Sequence, residues 1–262
     1  MKALEGPLKF LPWILLGSAT AIFLAGCCLA ETLTAGWAQP VFFALILGAT
    51  LVALQRSLSG QNVVWAALLV VVLSGIILSV GAKTDIPFGP CVYTDNLSPR
   101  LFDTLPWAVP LLWVVVLFNC RGVARLILRP WRKVRSYGYR VIALTCGLMV
   151  LFDFAWEPFA TRANRFWIWR IPATTSSWYG TPWVNFFGWA VTSLLLMAFI
   201  TPWLINKKPT QSPPNFHPLF LWLLTNLYLI NALAKHNLWV PAALALLACA
   251  VVAPLAWRNA KW

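Results

Sequence analysis

The sequence is short of acid. Only 7 Asp and Glu stand against 20 Lys and Arg in 262 residues, and charged residues of both signs make up 10% of the chain. A soluble domain carries about 25%, so this chain cannot clothe a water-facing globule. Histidine is scarcer still, with 2 copies, His217 and His236. Both lie far along the chain from most of the acids, which argues against the histidine-rich di-iron centre of a membrane oxygenase. The 6 cysteines include no C-x-x-C pair. Cys27, Cys28, Cys146 and Cys249 fall inside apolar runs, and Cys91 and Cys120 flank another, so neither a zinc site nor a redox pair is indicated. Nor is there a pair of aspartate-rich motifs to hold a diphosphate through magnesium. The acids of "YTDNLSPRLFD" are too widely spaced, and no second motif exists. No metal or other cofactor is expected. The net charge of +13 does not point to nucleic acid, because the basic residues are concentrated in short segments between apolar runs.

What the chain has in quantity is apolar sequence. It is 60% hydrophobic and holds 17 Trp, many near the ends of apolar runs, where interfacial aromatic belts place them. The runs predict an all-α polytopic transmembrane helical bundle of about eight spans, at roughly 10–30, 38–55, 62–82, 105–120, 139–160, 181–206, 216–235 and 238–257. The fourth is short, and extends toward Leu128 if Arg121 and Arg125 snorkel. Residues 1–262 read as a single transmembrane domain. With both termini inside, the inner segments carry 14 of the Lys and Arg, among them the run from Arg121 to Arg140, and the outer segments carry 6. The positive-inside rule favours that arrangement, as expected of a bacterial inner-membrane protein in contact with anionic lipid headgroups. "LAGC", Leu24 to Cys27, resembles a lipoprotein cleavage box. A plain membrane helix is the preferred reading, because polytopic proteins commonly begin this way and Glu5 is unusual in a signal n-region.

Five of the 7 acids lie between Asp85 and Glu157, and with this topology all approach the outer face. Within "LFDFAWEPFA", Asp153 and Glu157 stand four residues apart on one helix face inside a span. Ionisable groups there are costly and face a bundle interior or a wet cavity. Two adjacent carboxyls in low dielectric do not both ionise cheaply, so the pair is expected to hold a proton. Pro158 strips a hydrogen bond from the Phe154 carbonyl and is expected to kink the helix, adding a polar group to a half-buried polar chamber near the outer face. The next span re-enters with "TPWVNFFGW", bringing Asn185 to a similar depth. Other members of this polar set have plainer readings. Asp95 and Asp103 can cap turns and pair with Arg100. Arg162, Arg165 and Arg170 suit lipid headgroups, and Trp167, Trp169, Trp178, Trp183 and Trp189 suit an interface belt.

The motifs "YTDNLSPRLF", "FDFAWEP", "FWIW" and "WYGTPWVNFFGW", in this order and spacing, resemble the integral-membrane carotenoid hydratases, the CruF-type carotenoid biosynthesis proteins of bacteria and haloarchaea. The resemblance covers about residues 85–205, and residues 83–205 are taken as the segment carrying the active site. The first two and last two spans match only in hydropathy. Glu157 stands where the family pattern leads one to expect Asp, and Asp103 where it leads one to expect a small residue. The resemblance implies cofactor-independent addition of water to the terminal double bond of an acyclic ψ-end carotenoid, of lycopene or γ-carotene type, giving a tertiary alcohol. That chemistry calls for a neutral acid against an apolar chain, aromatic faces for the cation, and a held water. The implied roles are Asp153 as proton donor, Glu157 as its coupled partner, and Asp95 with Asn185 positioning water. Tyr93, Trp156 and Tyr179 would form the cation wall, and Trp167, Trp169 and Trp183 would contact the substrate. Two alternatives remain: a lycopene-type cyclase, in which an internal alkene captures the same cation, and a non-enzymatic carrier of a carotenoid or other isoprenoid lipid. A carrier needs an apolar groove and aromatics but no intramembrane acid pair.

Overall fold

The computed structural model describes residues 10–28, 38–101, 103–172, 174–205 and 213–262. Among them are eight α-helices: α1 (Leu11–Cys28), α2 (Ala38–Gln55), α3 (Gly60–Thr84), α4 (Ala108–Ile127), α5 (Tyr137–Pro158), α6 (Trp183–Leu204), α7 (His217–Lys235) and α8 (Trp239–Asn259). From α2 onward the helices are long and apolar enough to cross a membrane, while α1 is apolar but shorter. The chain is therefore an all-α polytopic membrane protein. Its helices coincide with the apolar runs to within a few residues, because each run must close its own backbone hydrogen bonds where no water is present. The Leu24–Cys27 stretch lies within α1. Lys2, Glu5, Lys9, Lys207 and Lys208, which bear on the orientation and leader readings, lie outside the described residues.

The largest departure from the sequence reading is α4. The helix starts later than expected, because residues 105–106 form a short strand, while the continuation past Arg121 toward Leu128 is borne out, with the helix ending at Ile127. Arg125 is exposed. Arg121 does not snorkel: it is buried, and its Nη2 donates to the Leu204 carbonyl at 2.8 Å. A guanidinium at the C-terminal end of α6 meets unpaired carbonyls and the negative end of the helix dipole, which holds it inside. α4 is the central helix, packed against α2, α3, α5, α7 and α8. In its most apolar window 78% of residues are buried, against 28% in α2 and in α3.

Among the described residues, three two-stranded antiparallel ribbons gather at one end of the bundle. β1 (Cys91–Tyr93) pairs with β4 (Trp167–Trp169), β2 (Arg100–Leu101) with β3 (Leu105–Pro106), and β5 (Ser177–Trp178) with β6 (Thr181–Pro182). The β1–β4 register sets Cys91 opposite Trp169 and Tyr93 opposite Trp167. It ties the connection after α3 to the connection after α5. That end also holds the C-terminal turns of α3 and α5 and the N-terminal turns of α4 and α6.

Candidate active site

Pro158 is where the site begins. It lacks an amide hydrogen, so the Phe154 carbonyl loses its helical donor. The indole N–H of Trp178 supplies the missing bond at 2.9 Å. The freed carbonyl is therefore taken by β5 and is not left open to a chamber. Past Pro158 the chain widens into a π-turn, Phe159–Ala163, and then reaches β4.

Glu157 is buried, and its Oε2 accepts three hydrogen bonds: from Trp169 Nε1 at 3.0 Å, Thr181 Oγ1 at 3.1 Å and Trp167 Nε1 at 3.3 Å. Strand geometry accounts for the two indoles. Residues two apart on a strand share a face, so the W-x-W of β4 sends both N–H groups to one oxygen. One turn back on α5, Asp153 is fully buried, and its Oδ2 accepts from Asn185 Nδ2 of α6 at 2.8 Å. Its Oδ1 is buried with no hydrogen-bond partner among the described residues. Asn185 and Glu157 border the same cavity. A carboxyl, an amide and a second carboxyl thus follow one another across α5 and α6.

Beneath the β1–β4 ribbon lies a cavity with about 480 Å³ of empty space, its mouth included. Glu157 and Asn185 reach it, and Asp153 does not. Its walls include Tyr93 and Cys91 from β1, Trp167 and Trp169 from β4, and Trp156 from α5. Trp113 of α4 and Trp189 of α6 complete the aromatic lining, their rings stacked at 4.4 Å. Phe88 closes one side by packing on Gly188, where a Cβ would lie 2.6 Å from Phe88 Cδ1. Among the described residues, no Lys, Arg or His lines the cavity. Burial above all, then Cys91 and Glu157, pushes the Tyr93 phenol well above its ordinary value. Burial, then Glu157 and Asp85, does the same for the Cys91 thiol. Both are neutral hydrogen-bonding groups, and Cys91 is no nucleophile at neutral pH. No group of three or more His, Cys, Asp or Glu side chains is placed to hold a metal among the described residues.

The structure brings Asp153, Glu157 and Asn185 together and sets Tyr93, Trp156, Trp167 and Trp169 around them. It does not bring Asp95. That side chain is fully exposed and pairs with Arg100 at 2.6 Å, because the turn after β1 points it away from the bundle. Tyr179 also lies off the cavity. It occupies the turn between β5 and β6 with φ at 52°, its ring against Trp178 and its carbonyl accepting from Arg162 at 2.8 Å. Trp183 opens α6 on its outer side, 49% exposed. Two site residues, Thr181 and Trp113, are absent from the sequence reading, and a third, Trp189, was read there only as part of an interface belt. Trp189 lies one turn after Asn185 and so shares its face, a signal that was present in the sequence. Thr181 and Trp113 had none, since their places depend on how β6 and α4 pack.

The family described as "Carotenoid biosynthesis protein" matches residues 10–252. The match thus includes the first spans and most of the last, where the motif resemblance gave only hydropathy. Bisanhydrobacterioruberin hydratase of Haloarcula japonica is 29% identical over 113 residues, which is 43% of this chain and 36% of that protein. The alignment thus spans about a third of the relative's length. No solved structure matches.

Proposed function

Because the chain belongs to the carotenoid biosynthesis protein family, we propose that it is a carotenoid hydratase that adds water across the terminal double bond of an acyclic carotenoid end, giving a tertiary alcohol. The observation that carries this reading is the asymmetry of Glu157. Three donors converge on Oε2, and none of the three engages Oε1. In this reading the proton of the acid form sits on Oε1, on the side of the cavity that Glu157 lines. As it leaves for the alkene, negative charge grows on the carboxyl and meets donors already in place. Donors aimed at developing charge are a large term in catalysis, since nothing must reorganise during the step.

The steps balance on one carboxyl. Glu157 gives its proton to the inner carbon of the terminal alkene, and the outer carbon becomes a tertiary cation. The faces of Trp156, Trp167 and Trp169 stabilise it, and no basic side chain in the lining opposes it. A water oxygen then bonds to the cation and passes a proton back to Glu157, which restores the acid. Asn185 donates through Nδ2 to Asp153, which leaves its amide oxygen to accept from that water. In this scheme Asp153 is a positioning residue acting through Asn185, and Glu157 is the donor. The name of the Haloarcula japonica relative supports water, and not an internal alkene, as the captor.

The test is pigment mass after expression in a lycopene-making host. A gain of one or two waters per carotenoid is expected. Unchanged mass with altered retention would assign cyclisation instead, and unchanged pigment would assign a carrier.

A further inference from the structure

We propose that the stacked indoles of Trp113 and Trp189 form the floor of this cavity and decide which double bond of an isoprenoid chain stops beside Glu157. The inference rests on the reaction site proposed above and adds the residues that fix the substrate's register in it.

The lining ends at one level on three helices. The deepest wall residues are Leu78 on α3, Trp113 on α4 and Trp189 on α6. One turn further in come Ser74, Leu117, Thr192 and Ser193. All are 0% exposed, and none reaches the cavity. The two indoles close the gap between α4 and α6 at that level, with ring planes 25° apart and exposures of 1% and 5%. Below them the character changes. Ser74 Oγ bonds back to the Val70 carbonyl at 2.6 Å, while Thr192 Oγ1 and Ser193 Oγ are buried with no hydrogen-bond partner among the described residues. The floor therefore separates an apolar, aromatic cavity from a layer of hydroxyls.

Chain chemistry explains why a floor matters. An acyclic isoprenoid end repeats a similar methyl-branched alkene in each unit, so side walls that fit the first unit also fit the second. Apolar contacts along such a chain do little to oppose sliding. A stop at fixed depth distinguishes the first alkene from the next. Glu157 lies on the wall above the floor, where the terminal alkene sits when the chain tip rests on the indoles. Removing Trp189 would lower the floor to Thr192 and Ser193, about 4.5–6 Å further along α6, which is comparable with one isoprene repeat.

The experiment compares wild type, Trp189→Phe, Trp189→Ala and Trp113→Ala, each confirmed folded by gel filtration in detergent. Supplied with lycopene, wild type and Trp189→Phe should place the hydroxyl on the terminal unit, read by mass fragmentation and NMR. Both alanine variants should lose at least tenfold of that product, with the remaining hydration moved one double bond inward. A folded Trp189→Ala protein that hydrates the terminal unit at the wild-type rate overturns the proposal. Binding gives a readout independent of reaction. For acyclic isoprenoid alkenes of increasing length, read by quenching of tryptophan fluorescence, the alanine variants should prefer chains one unit longer. Wild type that binds the series but hydrates nothing sinks the proposed reaction, and the length preference still decides the floor. An unchanged preference rejects it.

Discussion

At Glu157 the two carboxyl oxygens have different surroundings, and the difference separates its role from that of Asp153. Oε2 is held by Trp167, Trp169 and Thr181, while the residue also borders the cavity. Glu157→Gln keeps the shape and an acceptor for those donors but has no acidic proton. A well-placed general acid contributes about 10²–10⁴-fold, so a loss of about 10²-fold or more in product per folded protein is expected. Asp153→Asn retains an oxygen to accept from Asn185, so its loss should be milder, about tenfold. Asp153→Leu removes the acceptor, frees the Asn185 amide to turn, and should fall well below Asp153→Asn at equal folding. Product yield, normalised to folded protein by fluorescence-detected gel filtration, checks all three. A near-normal Glu157→Gln with an inactive Asp153→Asn would return the proton donor to Asp153.

At the scale of elements, α5 ends in a break that is repaired from outside the helix. Pro158 removes the donor to the Phe154 carbonyl, and Trp178 of β5 restores it. The same contact ties the β5–β6 ribbon, which carries Thr181, to the last turn of α5. Trp178→Phe leaves the carbonyl unpaired and should lower stability by about 1–3 kcal/mol. In a Pro158→Ala background, residue 158 regains an amide hydrogen, so Trp178→Phe should cost clearly less. Thermal midpoints of the two single variants and the double variant give the coupling. Equal losses in both backgrounds would mean that the indole acts only by packing.

Across the whole molecule, the ribbons, Asp95 and the acid pair gather at one end of the bundle, while Arg132, Lys133 and Arg135 lie in the exposed connection from α4 to α5. The positive-inside rule assigns that connection to the cytoplasmic side and the ribbons to the opposite face. Single cysteines at Asn96 and Arg132, in a variant with its native cysteines replaced, test this in intact spheroplasts. A membrane-impermeant thiol reagent should label residue 96 without lysis and residue 132 only after lysis. The reverse pattern would place the site at the cytoplasmic face.

The sequence by itself determined the membrane class, the extent of most helices, and the Asp153, Glu157 and Asn185 constellation. Those properties follow from local quantities: run length against bilayer thickness, and helical spacing that puts residues four apart on one face. The W-x-W of β4 was legible for the same reason, since alternation along a strand is a local rule. Asp95 was misplaced because the direction of a surface turn follows from what the turn packs against. The tertiary structure alone decided which carboxyl touches the cavity, that Thr181 completes the Glu157 donor set, and that Trp113 meets Trp189. Each depends on residues far apart in the chain, brought together by the packing of α4, α5 and α6 and by the β1–β4 pairing. Burial and hydrogen-bond partnership belong to that packing, and a residue's neighbours in sequence do not encode them.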